Sequence, residues 1–293
     1  MSDILQKRTE EYRIYIENYL KDFYSQFHTE PQQLLFEAME YSLLSGGKRL
    51  RPILTLEFCR MCGVDWKVAA PFAAALEMIQ TYSLIHDDLP CMDDDDLRRG
   101  RPTNHKVYGE GMAVLAGDAL LTDAFLMAST AKLQCPENLS LAIGTLARNA
   151  GSLGMVGGQV LDICSEERVL SEDEVLAIQS RKTGALIKAA CVLGVIAAGG
   201  TQDQMDAADC FAGALGLAFQ IRDDMLDVIG NEQELGKAVG TDAAKNTFVR
   251  LYGLEKCEEL VQRYTGVALE ALKIFPDREY LHELAVQLTS RTV

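Results

Sequence analysis

The chain has 293 residues, 48% of them apolar, and carries 28 Lys and Arg against 43 Asp and Glu, a net charge of −15. That length buries a substantial core, as one large domain or two small ones. The acidic balance argues against nucleic acid or an anionic membrane as partner, because both need a basic face. An anionic substrate has to be met by local cations or by metal.

Residues 1–20 mix charges throughout and lack the apolar centre of a secretory signal, which predicts a cytoplasmic chain. After Pro31, the residues Leu34, Leu35, Ala38, Met39 and Leu43 fall on one helical face. The segment Ser45-Gly-Gly-Lys-Arg-Leu-Arg-Pro52 follows, basic and free of acids. It lacks the GxxxxGK[ST] pattern of a P-loop. It reads as a solvated basic turn or as an anion site backed by the next helix N-terminus. Cys59 and Cys62 form a lone CxxC with no second pair and only four histidines in the chain, so free thiols are expected.

A largely apolar helix over residues 73–85 runs into the first acidic cluster, six aspartates within residues 87–96. Acids this dense repel one another, and a solvated loop or a divalent cation relieves them. An oxygen-only set favours Mg²⁺, which takes one or two carboxylates and completes its shell with water and phosphate oxygens. On a straight helix Asp93 lies about 120° from Asp87, so Pro90 and its neighbours must bend or end the helix to bring them together. An EF-hand is excluded because Arg98 stands where its central Gly belongs.

Ser171 to Glu174 and Thr201 to Gln204 each make a capping box ahead of a helix. Between them, Ala185–Ala198 is the most membrane-like run, interrupted by Lys188 and too short to span a bilayer. The second acidic cluster carries Asp223, Asp224 and Asp227 among apolar residues. Asp223 and Asp227, four apart, share a helix face. Two such clusters, each followed by basic residues, fit one diphosphate clamped from both sides. No sustained alternation marks a strand. The prediction is one all-α domain over 1–293, of about ten to thirteen helices.

The chain resembles the trans-isoprenyl diphosphate synthases, and among them the bacterial farnesyl diphosphate synthases. The motifs that carry this are Gly47-Lys-Arg-Leu-Arg-Pro52, DDxxxxD from Asp87 to Asp93 followed by Arg98-Arg99-Gly100, Gly157-Gly158-Gln159, Lys182-Thr183-Gly184, and Phe219-Gln-Ile-Arg-Asp-Asp-Met-Leu-Asp227. The resemblance implies helices around a deep cavity, usually as a homodimer. It implies that Asp87 and Asp93 hold two Mg²⁺ ions and Asp223 a third, supported by Asp88, Asp224 and Asp227. It assigns Arg98, Lys182 and Lys237 to the allylic diphosphate, and Lys48, Arg51, Gln80 and Arg99 to isopentenyl diphosphate. Thr183, Gln220 and the Lys182 carbonyl would face the developing carbocation. Tyr82 and Ser83, five and four residues before Asp87, would form the floor of the tail pocket. An aromatic there points to a fifteen-carbon farnesyl product, with a geranylgeranyl synthase or a non-catalytic partner subunit as the alternatives. The loop from Gly240 to Phe248 is about two residues shorter than the family's usual one, which weakens the assignment of Lys245 to diphosphate.

Two other enzyme classes fit less well. A terpene cyclase would not need the 47–52 segment or the Arg98-Arg99 pair. An HD-type phosphohydrolase built on His86-Asp87 would need more histidines than His28, His105 and His282.

Overall fold

The structure, a computed structural model, describes residues 3–165, 168–229 and 247–291. Thirteen α-helices make up the described part, within the predicted range. The first four are α1 (Asp3–Ser25), α2 (Gln33–Leu43), α3 (Leu50–Met61) and α4 (Ala70–Asp87). Next come α5 (Asn104–Tyr108), α6 (Glu110–Ser129), α7 (Leu139–Ala150), α8 (Met155–Ile163) and α9 (Glu172–Lys182). The chain closes with α10 (Gly184–Ala197), α11 (Gln202–Ile229), α12 (Phe248–Ala271) and α13 (Glu279–Ser290).

The run flagged as membrane-like is the centre of the bundle. Every residue of α10 except Lys188 and Val192 is buried. Lys188 reaches Asp209 of α11 at 2.9 Å, so the one charge in an apolar helix is paired. Helices α3, α4, α7 and α11 all pack against α10. Each fully buried Leu or Ile there contributes about 1.5–3 kcal/mol, which sets the helix order more firmly than propensity does. Both capping boxes form: Ser171 and Glu174 bond reciprocally, as do Thr201 and Gln204.

Three expectations need correction. Leu34 is 52% exposed, and Phe36 takes its place in the buried stripe of α2. Leu34 is the second residue of α2, in its exposed first turn. Residues 97–102 form a small antiparallel hairpin, β1 (Leu97–Arg98) with β2 (Arg101–Pro102), where no strand was predicted. Two-residue strands are too short to show alternation. The hairpin comes instead from the turn, because Arg99 and Gly100 both take positive φ (55° and 73°), the geometry that two-residue hairpin loops favour. Finally, residues 66–87 and 110–129, rather than the α10 run, are long and apolar enough to cross a membrane. The first is 78% buried inside the bundle, whereas α6 leaves Val114, Leu115 and Leu126 on the surface.

Candidate diphosphate and metal site

Helix α4 ends at Asp87, and the chain then folds back on itself. The N–H of Asp93 donates to the Asp87 carbonyl at 2.8 Å, and the N–H of Asp94 to that of Leu89 at 3.2 Å. The bend inferred from Pro90 is therefore real, and it returns Asp93 to Asp87. Burial pushes the Asp87 carboxyl up to about 6, with Asp93 and Asp88 raising it further and Lys182 and Arg98 opposing them. Asp88, 3% exposed, is tied to Arg98, whose Nε donates to both carboxylate oxygens at 2.7 and 3.0 Å. The hairpin is what aims Arg98 at this acid. His86 sits with Nε2 3.1 Å from the Val114 carbonyl of α6, which fixes the end of α4 sideways.

The basic segment lies against the same hairpin. The Arg99 guanidinium donates to the Gly46 carbonyl and lies over Gly47, where a Cβ would sit 2.7 Å from it. Glycine is favoured there by its φ of 123°. Lys48 is exposed, and Arg51 is half-buried with its Nε lacking any hydrogen-bond partner. Burial holds the Arg51 guanidinium below its ordinary value, with Glu77 countering. Arg49, between them, is structural: 3% exposed, it pairs with Glu77 at 2.5 Å and donates to the Leu43 carbonyl at 2.8 Å. Gln80 lies three residues after Glu77 on α4, partly exposed. Arg49 also lies 3.5 Å from Glu17, so the three arginines Arg49, Arg51 and Arg99 face two acids, which leaves a positive surplus for an anion.

The break between α9 and α10 links the two acidic groups. Lys182 ends α9, its Nζ 2.6 Å from Asp162 of α8 and its charge felt at Asp87. Gly158 is where α8 meets this end of α9: a Cβ there would come within 2.2 Å of the Lys182 backbone nitrogen. Thr183 stands between the helices as the N-cap residue of α10. Gly184 then touches Gly216 of α11, one turn before Gln220.

On α11, Gln220 donates its amide to Asp224 at 3.1 Å, which leaves the amide oxygen on the opposite edge. Asp224 is 8% exposed and also accepts the N–H of Phe248, the first residue of α12, at 2.8 Å. Asp223 pairs with the guanidinium of Arg291, beyond the end of α13. Asp227 is 4% exposed. Lys237 and Lys245 lie outside the described residues.

Of the expected residues, Asp87, Asp93, Arg98 and Lys182 come together, and Arg51 and Arg99 share the field of Glu77, while Lys48 stands exposed on the segment that Arg99 covers. Asp223 stands on a separate element, already paired to a cation. Two residues with no part in the sequence reading belong to this geometry, Asp162 and Arg291. Asp162 follows Gly158 by four residues, so the helix face that packs on Lys182 also carries its acid. Arg291 has no comparable signal, because it arrives from the far end of the chain.

The donor set fits Mg²⁺ bound through substrate. Among the described residues no group of three or more His, Cys, Asp and Glu side chains could hold a metal by itself. Mg²⁺ commonly uses only one or two carboxylates with phosphate oxygens and water. An acid raised to about 6 by burial and by like charges is the kind that a cation would stabilise.

Comparisons with known proteins bear on the family and the fold. A heterodimeric geranylgeranyl pyrophosphate synthase large subunit of Arabidopsis thaliana is 48% identical over 246 residues, 81% of this chain and 66% of that protein. A geranylgeranyl pyrophosphate synthase of Catharanthus roseus is 48% identical over 245 residues, 82% of this chain and 69% of that one. A solved FPP/GFPP synthase from Zymomonas mobilis superposes with a TM-score of 0.87 at 36% identity, covering 99% of this chain and 100% of that one. A geranyltransferase structure from Legionella pneumophila gives a TM-score of 0.87 at 32% identity, covering 99% and 97%. The all-α bundle is that of the isoprenyl synthases. Residues 32–270 match the polyprenyl synthetase family model, and the chain belongs to that family.

Proposed function

We propose that this protein is a Mg²⁺-dependent prenyltransferase that joins isopentenyl diphosphate to an allylic diphosphate. The observation that carries the reading is the Asp87 carboxyl, raised to about 6 beside Asp88 and Asp93 and faced by Lys182 and Arg98. Asp87 and Asp93 on one side and Asp223 on the other would hold the metal ions, three by the family resemblance. Bound Mg²⁺ supplies charge stabilisation to the departing diphosphate.

The chain's own cations share that task. Lys182, oriented by Asp162, reaches the allylic diphosphate from the α9 end. Arg98 reaches it from the hairpin, and Lys237 is assigned there by the family motif. Lys48, Arg51, Gln80 and Arg99 hold isopentenyl diphosphate in the site without metal. Thr183, the Lys182 carbonyl and the amide oxygen of Gln220 face the allylic carbon as it becomes cationic.

Product length divides two readings. The relatives near 48% identity carry geranylgeranyl names, and they back a twenty-carbon product better than the fifteen-carbon one expected from the sequence. The farnesyl reading rests on one observation. Tyr82 is 6% exposed, and burial and the nearby Asp87 push its hydroxyl up to about 12. Its ring packs edge-on against His86 at 5.7 Å, one turn before Asp87, and the reading makes it the floor of the tail pocket. Incubation with Mg²⁺, dimethylallyl diphosphate and labelled isopentenyl diphosphate, followed by chain-length chromatography, decides between them. No extractable prenyl alcohol after phosphatase treatment would reject the prenyltransferase reading and favour a partner subunit. If Tyr82 is the floor, Tyr82→Ala shifts a C15 product to C20 or longer. An unchanged length removes Tyr82 from that role.

A homodimer is part of the same reading. Val114, Leu115 and Leu126 of α6 and Leu141 of α7 are exposed apolar side chains, 40–55% accessible, and a second copy would cover them. Sedimentation at micromolar protein should give twice the 32.3 kDa chain mass. The reading also places the enzyme in the cytoplasm.

A further inference from the structure

The C-terminal end of the chain approaches the second acidic cluster with a cation already in hand. Arg222 of α11 donates its Nε to the Thr289 carbonyl at 2.7 Å, and its Nη2 lies 2.9 Å from Glu258 of α12. Thr289 is 4% exposed, so α13 is seated firmly on α11. The chain leaves that helix at Arg291 with extended backbone angles, φ −60° and ψ 146°. The guanidinium comes to rest 4.4 Å from the ring centre of Phe219 and donates to Asp223, one turn further along the same face of α11. An aromatic ring and a carboxylate four residues apart thus form a ready seat for a planar cation.

We infer that Arg291 is a place-holding cation: its guanidinium occupies Asp223 in the metal-free protein and must be displaced when a divalent ion binds there. The inference rests on the metal role proposed for Asp223. The physical case is competition for one carboxylate. A divalent ion coordinated by Asp223 and a guanidinium bonded to the same oxygen would be like charges in near contact. The seat is also incomplete, because the buried Nε of Arg291 has no acceptor. One edge of the guanidinium is held and its Nε edge is not. Once displaced, Arg291 still has the Phe219 face to rest on, and the α13 anchor at Arg222 stays in place. Metal loading would therefore be felt at the C-terminal end of the chain, through one residue.

Mn²⁺ with inorganic pyrophosphate serves as the probe, its affinity read by electron paramagnetic resonance. Arg291→Gln should bind Mn²⁺ more tightly than the wild type, by roughly fivefold, the size a partly exposed ion pair carries. Arg291→Lys, which keeps the charge but loses the planar fork, should fall between. A second readout needs no variant: hydrogen exchange at residues 290–291 of the wild type, just beyond the Thr289 anchor, should rise when Mn²⁺ and pyrophosphate are added. Equal affinity in wild type and Arg291→Gln, or C-terminal exchange that ignores the metal, would overturn the inference. Asp223→Asn separates the two levels. If it leaves Mn²⁺ binding unchanged, the metal role of Asp223 fails and the place-holder with it. If it weakens binding while Arg291→Gln gains nothing, the place-holder alone fails.

Discussion

The two acidic clusters carry similar residues and are built in opposite ways. The first is local. Helix α4 ends, the backbone returns Asp93 to Asp87 within six residues, and the hairpin directly after it delivers Arg98 to Asp88. The second lies inside the unbroken helix α11 and, besides Gln220 one turn away, it meets partners from far along the chain. Phe248 of α12 caps Asp224 from 24 residues away, and Arg291 meets Asp223 from 68 residues away. One cluster is therefore fixed by its own sequence, while the other is fixed by how later helices dock. The difference predicts that the first behaves as a rigid electrostatic centre and the second as one that responds to its surroundings.

The strongest test is turnover. Asp87→Ala should lower kcat by about 10³-fold or more, the cost of losing a charge-stabilising contact made in the transition state. Asp223→Ala should cost activity too, but less, because Asp223 already has a competing cation. Steady-state assays at saturating Mg²⁺ measure both. Near wild-type turnover for Asp87→Ala would remove the metal role of the first cluster. Equal losses in the two variants would remove the contrast between the clusters.

The second test concerns pH in the absence of metal. Asp87 rises from its ordinary 3.8 to about 6 on folding. Between those values the folded chain keeps a proton that the unfolded chain has released, so this group's contribution to stability falls as pH rises from about 4 to 6. Above that window the charged acid costs about 2–3 kcal/mol, since each pK unit is worth about 1.4 kcal/mol. Asp87→Asn should therefore be more stable than the metal-free wild type at pH 7, and the advantage should vanish near pH 4. Urea unfolding at both pH values measures it. A variant no more stable at pH 7 would show that the nearby Lys182 and Arg98 already compensate the acid.

A third test removes the cation of the first cluster. Arg98→Ala leaves Asp88 buried at 3% exposure without its two hydrogen bonds. Isolating a buried charge is costly, and about 2–3 kcal/mol of stability should go, less than for a fully buried pair because Arg98 is 32% exposed. Denaturant midpoints report the loss. A change under 0.5 kcal/mol would mean that the hairpin can move Asp88 to solvent.

The same local–distant contrast explains what the sequence revealed. The bend at Pro90, the pairing of Asp87 with Asp93 and both capping boxes follow from residues within a few positions of each other. The central place of α10 follows from its unbroken apolar run. The hairpin was hidden because two residues cannot display a period, although the Arg99-Gly100 turn is what makes it. Asp162 was recoverable in principle, since Gly158 and Asp162 share a helix face. Arg49 sat in view inside the basic segment, but nothing local marked it as a buried strut on Glu77. Arg291 and the cap on Asp224 depend on docking of α12 and α13, and no spacing within α11 encodes them.

The smallest effect probes that last dependence. Asp224 accepts from the first N–H of α12, an orphan donor that a helix N-terminus must satisfy from outside. Thr247 already caps Arg250 from within the α12 segment, so Asp224 adds a second, long-range bond to a terminus that is partly served. Asp224→Ala should cost about 1 kcal/mol, the usual value of one capping contact. Asp224→Asn, which keeps an acceptor oxygen, should recover most of it. Hydrogen exchange would place the loss in the first turn of α12 and spare α4 and the hairpin, because the first cluster has no element in common with that cap. Faster exchange at both clusters would mean that they are coupled through α10, and the distinction between a self-contained site and a docked one would fail.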